Sequence, residues 1–132
     1  MKKLIIVSIF IISVVACKKT QFSPEGPIDV RVQNMSVSDT AFLRVIVNTS
    51  GGIDTLGNIN AGSVSEYFRF DKAFPKAEIS TLINGQLFST GTVDYNGMTY
   101  IGQAKITYLV RISDYNSKKL TIIHCSLDAP LK

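Results

Sequence analysis

The sequence predicts an all-β fold, a single antiparallel β-sandwich of seven or eight strands, preceded by a signal-peptide helix and a flexible tether. Three observations predict it. Apolar and polar residues alternate with period two through several runs, which gives each face of a half-buried strand one kind of side chain. Turn-forming residues separate those runs at regular intervals. After Ala16 no apolar pattern keeps a helical period.

Residues 1–16 come first. Lys2 and Lys3 precede an apolar run over residues 4–16, interrupted only by Ser8 and Ser13. A basic start, a short apolar centre and a small residue at the end make a signal peptide. A helix of that length is about 20 Å long, short of the ~30 Å hydrocarbon core, so it is a poor permanent span. The run closes on Val14, Val15, Ala16 and Cys17, which resemble the bacterial lipobox. The resemblance implies that the Cys17 thiol is acylated with diacylglycerol and that the chain is cut just before it. Two acyl chains hold a protein stably where one is marginal. An ordinary secretory signal is the alternative, since Val14 and Ala16 also suit that peptidase. In lipoproteins of the kind resembled, the absence of aspartate after the cysteine, here followed by Lys18 and Lys19, favours the outer membrane. No dense acidic run follows Cys17, which favours the periplasmic leaflet.

Residues 17–27 are read as the lipidated cysteine and its tether. The stretch KKTQFSPEGP is polar, with two prolines and a glycine. Ten such residues reach at most ~35 Å.

Residues 28–132 form the domain, with strands expected near 28–34, 40–48, 53–56, 63–70, 77–83, 86–90, 104–112 and 119–127. Ile28, Val30 and Val32 alternate with Asp29, Arg31 and Gln33, and Ile106, Tyr108 and Val110 alternate with Thr107, Leu109 and Arg111. Asn84-Gly85 between two apolar runs is the strongest hairpin signal, because both residues tolerate the positive φ of a two-residue turn. Further turns fall at 48–52, 57–62, 94–97 and 114–117. Without Trp, and without a paired cysteine, the antibody-type core pin is missing while the sandwich architecture stays open.

Part of this domain resembles a group of small bacterial envelope lipoproteins with an immunoglobulin-like or transthyretin-like β-sandwich. The resemblance rests on residues 57–62 (GNINAG), on Ser65, Glu66 and Tyr67 with Phe70, on Asn84-Gly85, on residues 94–97 (DYNG) and on residues 105–108 (KITY). It implies an immunoglobulin-like sandwich and an envelope address. It implies no activity, since those relatives are largely without an assigned one.

Composition narrows the function classes. Removing residues 1–16 from the 132 leaves 116, enough for one domain with a real core. Formal charge falls from +4 to +2 as Lys2 and Lys3 leave, and the remaining cations are scattered among ten acids, so no nucleic-acid footprint exists. If Cys17 is acylated, Cys125 is left single, and it reads as a buried small apolar residue rather than a reactive thiol. If Cys17 is not acylated, a Cys17–Cys125 disulfide becomes available.

No catalytic template is present: no Gly-x-Ser-x-Gly elbow, His-Glu-x-x-His pair, Walker loop or dinucleotide glycine pattern. His124 is the single histidine, and Asp54, Glu66, Asp71 and Asp94 are separated by strands, so spacing pairs none of them for acid–base or metal chemistry. No cofactor or metal is expected. Tyr95, Tyr100 and Tyr115 are the candidate binding surface, each offering a flat apolar face with a polar tip to a peptide or glycan. The alternative is that they cap the sandwich ends. Thr40 in Asp-Thr-Ala and Thr55 in Asp-Thr-Leu resemble the acceptor for O-linked glycans in some bacterial envelope proteins. The expected function is that of a lipid-anchored binding or structural accessory whose loops or free strand edge meet an envelope partner. A hydrolytic enzyme with a site assembled from scattered residues is the second reading, and it requires His124 to meet a carboxylate or a serine.

Overall fold

A computed structural model describes residues 24–131. The signal segment, Cys17 and residues 18–23 lie outside the described residues, as does Lys132. The described chain is all-β. Eight strands follow one another: β1 (Ile28–Asn34), β2 (Phe42–Asn48), β3 (Ile53–Ile59), β4 (Phe68–Phe70), β5 (Glu78–Ile83), β6 (Gln86–Ser89), β7 (Ala104–Asp114) and β8 (Lys119–Pro130).

The period-two pattern locates these strands because it records which side chains turn inward. In β1 the residues Ile28, Val30 and Val32 are fully buried and their neighbours are not. In β5 the inward set is Ile79, Thr81 and Ile83, and the Thr81 hydroxyl donates to the Leu43 carbonyl at 2.8 Å, so the one polar member is satisfied. Asn84 and Gly85 take φ of 50° and 74°, the two positive values that their hairpin needs.

The expected strand over 63–70 shrinks to Phe68–Phe70. Residues 63–67 instead hang on β1 through side-chain and turn bonds. Ser65 Oγ accepts from the Val32 amide at 3.0 Å, and the Ser65 amide donates back to the Val32 carbonyl at 2.9 Å. A single bridge, Gln33 to Val64, is all the pairing left there.

The sheet corrects the antiparallel expectation. It is one mixed eight-stranded sheet in the order β3-β2-β5-β6-β8-β7-β1-β4. β1 runs parallel to β7, from Asp29 opposite Lys105 to Asn34 opposite Val110, and β6 runs parallel to β8. Alternation specifies which face a residue takes, not which way the neighbouring strand runs, so the pattern could not carry this. Two four-stranded halves result, β3-β2-β5-β6 and β8-β7-β1-β4, joined by the single pair Ser89 to Lys119. The outer strands β3 and β4 come into contact on the far side, which nearly closes the sheet into a barrel.

The core lies between the halves. Val30, Ile106, Tyr108 and Val110 from one meet Phe42, Val45, Val47, Ile79 and Phe88 from the other. Each fully buried aliphatic or aromatic side chain contributes about 1.5–3 kcal/mol. Tyr108 brings a polar atom into this core, and its hydroxyl donates to the Phe74 carbonyl.

Candidate functional site

The joint between the halves is where the surface is least finished. Beyond Ser89 the chain leaves β8 and turns back on β5. The Thr90 amide donates to the Ile79 carbonyl at 2.9 Å, and the Val93 amide donates to Glu78 Oε1 at 3.0 Å. β8 continues alone on that side. From residue 120 to residue 130 its main chain has no strand partner on this edge among the described residues. A cleft of about 220 Å³ opens here between Ala77, Thr90 and Val93 on one wall and Leu120 and Ile122 on the other.

The pairing with β7 shows which way the β8 side chains point. Ile122 stands opposite Val110, Cys125 opposite Tyr108 and Leu127 opposite Ile106, all three partners being fully buried. Residues directly opposite in an antiparallel pair share a face. Ile122, Cys125 and Leu127 therefore point to the core side, yet Ile122 and Cys125 are only partly buried and Leu127 is 69 % exposed. Register shifts at Ile123 and Asp128 bend the edge and divide it into two regular stretches, residues 120–122 and 124–127.

The Cys125 thiol is pushed up to about 11, first by burial and then by the charge of Asp128. It is a free thiol in a setting that disfavours the thiolate. His124, exposed and opposite Leu109, has no side-chain hydrogen bond or ion pair among the described residues. No group of three or more His, Cys, Asp or Glu gathers among them either.

The outward face of β4, β1, β7 and β8 carries a polar network that the sequence did not reveal. Arg31 Nε donates to Thr107 Oγ1 at 2.8 Å, and Thr107 in turn donates to Asp128 Oδ2. The Tyr67 hydroxyl donates to the same oxygen at 2.8 Å. The Arg31 guanidinium lies 4.7 Å from the Tyr67 ring centroid and the Lys105 ammonium 5.3 Å. Burial alone would raise the Asp128 carboxyl, but hydrogen bonds from Thr107, Tyr67 and Ser126 and the charge of Arg31 outweigh it and hold it low. Burial and the bond to Asp128 push the Tyr67 phenol up. Such a saturated carboxylate joins strands; its lone pairs are committed to donors already in place. Arg31 faces Thr107 only because β1 and β7 are parallel in this register, a relation that no sequence pattern signals.

The three tyrosines do not form one surface. Tyr95 is half-buried, its ring 5.0 Å from that of Phe74 and its hydroxyl donating to the Asn48 carbonyl at 3.2 Å. Burial and then the charge of Glu78 push its phenol up. Tyr100 lies in the same region, next to Ile101, whose amide donates to the Ala73 carbonyl, and is exposed. Tyr115 sits at the other end of β5, where its hydroxyl accepts from Asn84 Nδ2 at 2.9 Å and its ring lies 5.2 Å from Phe88. The six residues of β5 separate the two poles by about 17 Å.

Of the two threonines, Thr55 is exposed in the outer strand β3, opposite Ile46. Thr40 is partly buried just before β2, with Oγ1 2.7 Å from Ser38 Oγ and its carbonyl accepting from Asn34 Nδ2. Cys17 lies outside the described residues.

No family model and no curated protein matches the chain. Its fold is similar to the solution structure of a protein from Eubacterium rectale, with a TM-score of 0.51 and 13% sequence identity over 83% of this chain and all of that one. At that identity the likeness concerns the fold alone.

Proposed function

We propose that this chain is a lipid-anchored envelope lipoprotein, attached through Cys17 at the outer membrane and facing the periplasm, that acts as a non-catalytic binding or structural accessory. The observation that carries the reading is the unpaired edge of β8 over residues 120–130. An extended segment of an envelope protein adds there by main-chain hydrogen bonds, with its alternate side chains entering the cleft beside Ile122. The bends at Ile123 and Asp128 interrupt the edge, which suits a short peptide and resists uncontrolled edge-to-edge association. The two halves facing each other across one core support an immunoglobulin-like sandwich as the finer class of the fold.

Photocrosslinking in the intact envelope tests this. A crosslinker at Thr121 on the β8 edge is expected to give a discrete adduct that one at Arg69, on the opposite side of the sheet, does not. Equal labelling from both positions, or none from either, rejects the edge as the site. Mass spectrometry of the mature N-terminus tests the anchor, with an acylated Cys17 expected and an unmodified thiol in a buffer-soluble product rejecting it.

A further inference from the structure

The core side of β8 opens into two hollows. Ile122, Cys125 and Leu127 share the face that looks toward buried Val110, Tyr108 and Ile106. Ile122 borders the cleft of about 220 Å³ already described, with Val93 on its far wall. At the other end Leu127, 69 % exposed, borders a groove of about 370 Å³ with Ile101 across from it. Both far walls draw on the same connection, residues 90–103 between β6 and β7. Between the two hollows Cys125 packs against the core.

The hollows are spaced as side chains on a strand are. β7 runs past the bulge at Ile123 with one residue fewer, so that Val110, Tyr108 and Ile106 stand opposite Ile122, Cys125 and Leu127. A regular strand added to the free edge of β8 meets the same register. Its positions beside Ile122 and Leu127 are then four residues, ~13 Å, apart, and every second side chain turns to the core side.

We propose, on the basis of the edge reading above, that the partner is an extended peptide segment with apolar side chains four residues apart and a small residue midway. The unpaired main chain of β8 calls for an extended backbone. The apolar walls at Ile122 and Val93, and at Leu127 and Ile101, call for an apolar side chain in each hollow. The middle side chain meets Cys125, already packed on the core, which leaves room for a small one. The spacing reads the same in both directions, so it holds for a parallel or an antiparallel arrival. Lys76 lines the upper cleft, exposed and without an ion pair among the described residues. An acidic residue beside the apolar one seated there completes the segment.

Two capped peptides of one composition, ELTATL and ETLALT, test the spacing. The first sets its leucines four residues apart around alanine, the second only two apart. The full-length protein in detergent micelles, with labelled Ile and Leu methyl groups, reports their binding by NMR. ELTATL is expected to shift the Ile122 and Leu127 resonances saturably and to bind several-fold more tightly than ETLALT. Partition into micelles would treat the two peptides alike. Equal binding, shifts in one hollow only, or no shift with either peptide overturns the spacing. Leu127→Glu is expected to weaken ELTATL several-fold, and an unchanged affinity overturns it as well. Leu127 is exposed, which keeps that substitution out of the packed core, and circular dichroism checks that the strands persist. The crosslinker at Thr121 reads the edge separately. An adduct there with no discrimination between the peptides rejects the spacing and leaves the edge standing, whereas no adduct rejects both.

Discussion

The Asn34 carboxamide donates to the Ile59 carbonyl at 3.0 Å, and both residues are buried. The same Nδ2 donates to the Thr40 carbonyl at 2.8 Å, while Oδ1 accepts from the Ser36 amide and hydroxyl. One side chain at the end of β1 thus ties the β1–β2 connection to the end of β3. Asn34→Ala would leave two carbonyls without their donor, that of Ile59 in a buried site and that of Thr40 in a partly buried one. A loss of about 2–3 kcal/mol is expected. Urea unfolding measures it, as a lower midpoint at unchanged slope.

Asp128 yields an acid-side prediction. Its folded carboxyl is held below the ordinary value by Thr107, Tyr67, Ser126 and Arg31, against the opposing effect of burial. A group depressed in the folded state contributes stability above its unfolded pKa and loses it as pH falls through the folded one. Asp128→Asn should therefore cost about 1 kcal/mol at neutral pH, a modest figure because the network lies at the surface. The difference from the wild type should stay flat between pH 6 and 8 and close below about pH 4, where the unfolded carboxyl begins to protonate. Thermal unfolding of both proteins across that range checks it.

These two networks mark where sequence reading stops. The strands were legible because residues such as Ile28, Val30 and Val32 repeat at the period of the pleat. The turn at Asn84-Gly85 was legible because few residue pairs accept two positive φ values. Strand direction was not, since the order Asp29, Arg31, Gln33 is compatible with either neighbour orientation. The Arg31–Thr107–Asp128 network therefore had no visible precursor, its members lying 76 and 21 residues apart. Asn34 was hidden for another reason. A polar residue at a strand end usually meets water, and only the packing of residues 59–63 over it turns it into a buried hub. Tyrosine is amphipathic wherever it stands, and nothing in the sequence tells that Tyr95 spends its ring on Phe74.

Accessibility separates the two threonine acceptors. Thr55 is exposed on an outer strand, whereas the Thr40 hydroxyl is engaged with Ser38 and its backbone carries the Asn34 bond. An enzyme that attaches a glycan needs both the hydroxyl and the local chain within reach. Intact mass of the protein isolated from its native envelope should show any glycan mass removed by Thr55→Ala and retained in Thr40→Ala. Loss in Thr40→Ala alone would reverse the assignment.

On the alkaline side two buried groups act in the same direction. Burial raises the Tyr108 phenol far above its ordinary range and the Cys125 thiol to about 11. A raised folded pKa contributes stability that is fully present below the unfolded value and lost as pH climbs toward the folded one. Stability should thus hold to about pH 8.5 and fall from there, first as the unfolded thiol ionises and then, near pH 10, as the unfolded phenol does. Tyr108→Phe removes the second of these and also the bond to the Phe74 carbonyl. It should cost about 1–2 kcal/mol at pH 7 and narrow its deficit as pH rises from 9 to 11. The thiol can be followed separately in a Cys17→Ser background, where maleimide reports on Cys125 alone. At pH 8 a thiol held near 11 presents on the order of a hundredfold less thiolate than one at ~8.5, so labelling should be slower by that factor in the folded protein and recover in denaturant.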